Sequence, residues 1–106
     1  MANVKVPNSM KQFSTYILSN RPWGRLYVGV TSNLLGRLYK HKNKVYPKSY
    51  TASCGIDKLV WYELHDNIWS AIQREKQIKN WNRDWKINLI EEENPEWKDL
   101  SAEWFD

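Results

Sequence analysis

Residues 1–50 carry nine Lys and Arg and not one Asp or Glu. Residues 51–90 are balanced at six basic and five acidic, and residues 91–106 hold one basic and seven acidic. An acid-free half-chain attracts polyanions, because clustered cations bind phosphate backbones in a salt-dependent way. A solvated charged surface would need no such segregation. There is a single cysteine, Cys54, so no internal disulfide can form and a Cys-rich metal site is excluded. That thiol reads as an ordinary one in a reducing compartment, which sets the expectation of a cytoplasmic protein. No run approaches the roughly 20 apolar residues that span a bilayer, and residues 1–9 lack the apolar core of a signal peptide. No membrane partner is expected. With two histidines and one cysteine, no grouping favours zinc.

What is present is aromatic. Seven Trp and six Tyr in 106 residues supply ample apolar area for one small core and leave no room for a second. Phe13 to Leu18 reads as a strand, Asn20 to Gly24 as a turn punctuated by Pro22, and Arg25 to Val30 as a second strand. Ser32 or Asn33 then caps a helix to about Lys42, with Leu34, Leu35 and Leu38 as its apolar stripe. Asn43 to Gly55 reads as a basic loop, and Lys58 to Leu64 as a third strand. Asp66 or Asn67 caps a helix over Ile68 to Asn80, and a last helix from about Arg83 to Glu92 is stopped by Pro95. The expected fold class is α+β, a three-stranded antiparallel sheet packed with helices. Residues 1–12 read as a mobile arm, residues 13–92 as the body, and residues 93–106 as an acidic tail. Trp97, Leu100, Trp104 and Phe105 are expected to anchor that tail on the body.

The chemistry concentrates between Leu26 and His41. Strand side chains alternate, so Tyr27 faces opposite to Leu26, Val28 and Val30. Arg37 and His41 lie four apart and share a helix face. A phenol, a guanidinium and an imidazole at one spot suit binding a phosphate and moving a proton. Gly36 inside this helix either gives close access or is a tolerated cost of about 1 kcal/mol. In the following helix Ile68, Ala71, Ile72 and Ile78 mark a buried stripe, and Glu75 falls on or beside it. A carboxylate there needs a partner: Arg37, Arg74, a Lys, or a divalent cation. A lone protein carboxylate suits Mg²⁺, which keeps several waters and takes phosphate oxygens, and Mn²⁺ accepts similar ligands. Lys40, Lys42, Lys44 and Lys48 are candidates for nucleic-acid backbone contacts, with Tyr46 and Tyr50 for stacking. His65 has no partner in the sequence and reads as a surface residue.

These residues resemble the GIY-YIG nuclease domain. Tyr27-Val28-Gly29 stands where that family has its YIG triplet, and Ser14-Thr15-Tyr16 stands at the GIY triplet with only the tyrosine kept. Arg37 matches the family's catalytic arginine and His41 a His or Tyr of its site. The stretch Arg74-Glu75-Lys76-Gln77-Ile78-Lys79 is similar to the helix supplying the metal-binding glutamate. The resemblance runs from about Phe13 to Ile90. It implies a metal-dependent DNA endonuclease that hydrolyses phosphodiester bonds in DNA repair or processing. Glu75 would hold Mg²⁺ or Mn²⁺, Arg37 would meet the phosphate, and Tyr16, Tyr27 and His41 would handle the water. Asn80, Asn82 and Asn88 are each candidates for the asparagine that often follows the metal-helix glutamate. The basic half-chain also fits a nucleic-acid-binding module on the same fold that does not cleave.

Overall fold

The computed structural model describes residues 13–44 and 48–105. The expected arm over residues 1–12, and Tyr46 among the stacking candidates, lie outside the described residues. Strands β1 (Phe13–Ser19), β2 (Leu26–Thr31) and β3 (Lys58–His65) form one antiparallel sheet in the order β2-β1-β3. The first two strands are a hairpin, which puts Tyr16 opposite Gly29. Its turn is fastened by the Asn20 side chain, which accepts from the Arg25 N–H at 2.8 Å. On the other side of β1 the register slips between Ile17 and Leu18, so that Ile17 faces Trp61 but Leu18 faces Leu59. The extra residue, Val60, packs with Ile17 and Trp61 rather than crossing the sheet.

Each face of the sheet buries its own cluster. On one, Tyr16, Leu18 and Leu59 pack with Leu34 and Leu38 of helix α1 (Leu34–Lys42), with Ile56 and with Trp104. On the other, Ile17, Val28, Val60 and Trp61 pack with Ile78 of α3 (Ile68–Asn80), Ile90 of α4 (Arg83–Glu93) and Trp97. Tyr27 joins the first cluster and Leu26 and Val28 the second, as strand alternation requires. Three asparagines start the three long helices. Asn33, Asn67 and Asn82 accept from the backbone N–H of Gly36, Ser70 and Trp85, each satisfying one of the donors a helix N-terminus leaves open. Gly36 serves the first of these caps, since a Cβ there would stand 2.5 Å from the Asn33 side-chain nitrogen.

Two expectations are corrected. The basic stretch before Gly55 is not all loop: Ser49 caps a single helical turn, α2 (Tyr50–Ser53), by accepting from the Ala52 N–H at 3.2 Å. His65 is not a free surface residue. Its Nε2 lies 3.3 Å from the Thr15 hydroxyl and 3.1 Å from a Glu63 carboxylate oxygen.

After α4 the chain folds back along β3. The Leu100 N–H donates to the Leu59 carbonyl at 2.7 Å, and the Asn94 amide donates to the Val60 carbonyl at 3.1 Å. Trp97 and Trp104 are buried, Phe105 meets the Tyr39 ring, and Leu100, 37% exposed, is held through its backbone bond to Leu59. No helix among the described residues is long and apolar enough to cross a membrane.

Candidate active site

Tyr16 occupies the centre of the middle strand, fully buried. Its ring lies across Gly29 on the neighbouring strand, and its hydroxyl accepts from the Arg37 guanidinium at 3.4 Å. Tyr27 and His41 complete the cluster. Their rings stand 6.3 and 6.4 Å from the Tyr16 ring and 5.9 Å from each other. The i, i+4 spacing on α1 places Arg37 and His41 on one side, because Leu34 and Leu38 turn the helix's apolar stripe into the core.

The environment sets the protonation of two of these groups. Burial pushes the Tyr16 phenol up to about 12; Tyr27 and Glu75 add to the rise, and Arg37 opposes it. The hydroxyl is thus a neutral donor at ordinary pH. Burial lowers the His41 pKa below its usual 6.5, the Arg37 charge lowers it further, and Asp57 opposes both. His41 is therefore neutral over most of the physiological range. Its Nδ1 sits 3.1 Å from the Thr51 hydroxyl, while its Nε2 is buried with no hydrogen-bond partner among the described residues.

A cleft of about 460 Å³ opens beside this cluster, lined by Tyr27, Arg37 and His41 on one side and by Ser49 to Ala52 on the other. Lys40 and Lys44 stand on its wall, and Tyr50 beside them is 52% exposed. Lys48 is exposed but outside that wall. Lys42 is a correction to the expected row of backbone contacts. Its ammonium bonds Asp99 Oδ2 at 2.7 Å and the Asp57 carbonyl at 3.0 Å, so its charge is spent on the fold. Ser49 and Thr51 escaped sequence reasoning. A one-turn helix carries no periodicity, and only the Ser49 cap residue hinted at it.

Glu75 projects from α3 with its side chain 15% exposed. It is not a wall residue of the cleft. It approaches the cluster through Tyr16, whose pKa its charge raises. Its direct partner is Lys79, one turn on, at 3.2 Å. The Glu75 carboxylate is the hard oxygen donor that Mg²⁺ or Mn²⁺ accepts, whereas the Tyr16 phenol is fully buried and bonded to Arg37. Among the described residues no group of three His, Cys, Asp or Glu could form an all-protein cage, so any ion here would complete its shell with water and phosphate oxygens. Of the three candidate asparagines, Asn82 is committed to capping α4, and Asn80 and Asn88 are exposed.

Comparison with known proteins agrees with this fold. A UPF0213 protein of Syntrophus aciditrophicus is 41% identical over 71 residues, covering 67% of this chain and 80% of the relative. A UPF0213 protein of Clostridium perfringens is 42% identical over 65 residues, covering 61% of this chain and 69% of the relative. The solution NMR structure of a UPF0213 protein from Bacillus halodurans shares the fold with a TM-score of 0.53 at 24% identity, covering 83% of this chain and 92% of that one. The family model described as the GIY-YIG catalytic domain matches residues 12–88, which takes in every residue of the cluster and Glu75, and the chain belongs to that nuclease family.

Proposed function

We propose that the protein is a Mg²⁺- or Mn²⁺-dependent endonuclease that hydrolyses DNA phosphodiesters in the cleft beside Tyr27, Arg37 and His41. The observation that carries this reading is the Arg37 guanidinium, hydrogen-bonded to the buried Tyr16 hydroxyl on the wall of a cleft that also holds Lys40 and Lys44. Phosphodiester hydrolysis needs an oriented water, neutralised phosphate charge and help for the leaving oxygen. Arg37 has a fork of N–H donors that matches phosphate oxygens, and among the described residues one long bond, to Tyr16, leaves the rest of that fork for substrate. Lys40 and Lys44 hold the backbone on either side, without reading sequence.

The water falls to the Tyr27 side of the cluster, since Tyr27 lines the cleft and Tyr16 does not. His41, neutral because burial and Arg37 lower its pKa, accepts a proton. Tyr16 holds Arg37 in place and presents a neutral hydroxyl. Glu75 would hold the divalent cation, which when bound polarises the phosphate and acidifies water. DNA repair or processing is the setting in which a small domain with little surface for sequence readout fits best.

The test is plasmid nicking in Mg²⁺ or Mn²⁺. Wild type is expected to nick, EDTA to abolish nicking, and Arg37→Ala and Glu75→Ala to lose at least 100-fold while keeping the wild-type circular dichroism spectrum. Variants as active as wild type would end the proposal. Salt-dependent binding without cleavage would leave a nucleic-acid-binding module instead.

A further inference from the structure

We infer that Thr51 is a positioning residue of this site: its hydroxyl accepts the Nδ1–H of His41 and thereby fixes the imidazole with Nε2 unprotonated. The inference rests on the reading of His41 as the proton acceptor of the cleft, and adds what makes it one.

Thr51 belongs to the one-turn helix α2 and is buried. Among the described residues its hydroxyl has two hydrogen-bond neighbours, His41 Nδ1 at 3.1 Å and the Ser49 hydroxyl at 3.3 Å. The Ser49 oxygen in turn accepts from the Ala52 N–H as the cap of α2. Two arrangements of hydrogens satisfy these distances. In one, Ser49 donates to Thr51 and Thr51 donates to Nδ1, which places the ring proton on Nε2. In the other, Nδ1–H donates to Thr51 and Thr51 donates to Ser49, whose oxygen has a second lone pair to receive it.

The orphan atom decides between them. Nε2 is buried and has no partner among the described residues. The first arrangement would strand an N–H there. The second strands only a lone pair. A buried donor without an acceptor is the rarer and costlier defect. In the second arrangement every hydrogen in the chain has an acceptor, and the half-buried Ser49 can turn its own hydrogen to solvent.

The consequence is chemical. The rings facing His41 are Tyr16 and Tyr27, both phenols. An imidazole held with Nε2 unprotonated keeps that nitrogen as a proton acceptor; the opposite tautomer would present a donor there. One buried threonine therefore sets which ring nitrogen of His41 can accept a proton. The α2 turn, with Ser49 as its cap, is the bracket that keeps that threonine in place.

Long-range ¹H–¹⁵N correlation spectra of histidine-labelled protein read the tautomer directly and need no activity, so failure of this inference and failure of the nuclease reading are distinguishable. The His41 signals are identified by their loss in His41→Gln. Wild type and Thr51→Ser are expected to show neutral His41 protonated at Nδ1. Thr51→Val, which keeps the shape and removes the acceptor, is expected to show exchange between tautomers. Nicking by Thr51→Val should fall about tenfold with KM little changed, and Thr51→Ser should restore it. An Nε2–H tautomer in wild type, or a tautomer unmoved in Thr51→Val, would overturn the inference. If Thr51→Val fails to fold, the wild-type and Thr51→Ser spectra still decide it.

Discussion

The Tyr16 ring rests on the backbone of Gly29. A Cβ at position 29 would lie 2.6 Å from both Cζ and Oη of that ring, closer than any real contact allows. The ring cannot yield, since it is fully buried among Leu18, Leu34 and Leu38. The glycine of the Tyr27-Val28-Gly29 triplet thus makes room for the tyrosine of the other triplet, across one rung of the hairpin. Gly29→Ala is expected to cost about 1–3 kcal/mol by overpacking. Because the atoms struck are the hydroxyl end of the ring, it should also move Tyr16 off Arg37. Urea unfolding checks the first effect, and a drop of at least tenfold in nicking, beyond what the unfolded fraction explains, checks the second.

Tyr16→Phe separates the hydroxyl from the ring. The packing against Gly29 and Leu38 persists, and only the 3.4 Å bond to Arg37 is lost. A bond of that length is weak, so stability should change by less than about 1 kcal/mol. Arg37 loses its side-chain hydrogen bond among the described residues, so nicking should fall by 10-fold or more through kcat. A fully active Tyr16→Phe would remove the hydroxyl from the site.

Asp99 locks the tail to the sheet. Its Oδ1 accepts from the Leu59 N–H, the Ser101 N–H and the Ser101 hydroxyl, and its Oδ2 meets Lys42 at 2.7 Å. Burial alone would raise its pKa, but the bonds from Lys42 and Ser101 outweigh it and hold the carboxyl below 3.8. A folded-state pKa below the unfolded one stabilises fully above the unfolded value and is lost as pH falls through the folded one. Thermal melts should therefore lose stability below about pH 4. Asp99→Ala should cost about 2–3 kcal/mol at neutral pH, by leaving buried donors unsatisfied, and should flatten that acid limb.

Much of this fold is legible in the sequence because its signals are local. Asn33 and Asn67, each one of two cap candidates, mark the starts of two long helices, alternation sorts Tyr27 from Val28, and four-residue spacing pairs Arg37 with His41. The features that escape are those made by distant or very short segments. Lys42 reads as a free cation until Asp99 arrives from 57 positions away. His65 reads as surface until β1 brings Thr15 beside it. Val60 breaks the register of β3 without any glycine or proline to announce it. Thr51 sits on one helical turn inside a polar stretch, too short for any period to emerge. At Glu75 the sequence shows a carboxylate on an apolar stripe, but which of several cations pairs with it depends on the folded helix, where Lys79 stands one turn on.

That pair gives a test of the metal assignment. Lys79 is half exposed and one turn from Glu75, and such i, i+4 pairs contribute only about 0.3–0.5 kcal/mol. Lys79→Ala should leave stability nearly unchanged. If Glu75 binds a divalent cation, removing its ammonium competitor should lower the Mg²⁺ concentration needed for half-maximal nicking, by several-fold. Glu75→Gln should abolish nicking at any Mg²⁺ level. Were Glu75 only a structural partner of Lys79, the two variants would behave alike, and a Mg²⁺ titration of each distinguishes the cases.

The pH dependence of cleavage should carry the mark of His41. Burial, then the Arg37 charge, lower its pKa below 6.5 in the folded protein. The unfolded chain therefore binds a proton at a pH where the folded protein does not. The stability this confers is complete above 6.5 and declines as pH falls through the folded value. Activity should follow the same group in the same direction, with the midpoint of its acid limb below pH 6.5, where the imidazole gains its proton and can no longer accept one. His41→Gln removes the titrating group but keeps polar atoms near Thr51. It should lower kcat by about 100-fold, within the usual range for a lost general base, and erase the acid limb of the kcat profile. Should the limb survive in His41→Gln, the proton acceptor is another group.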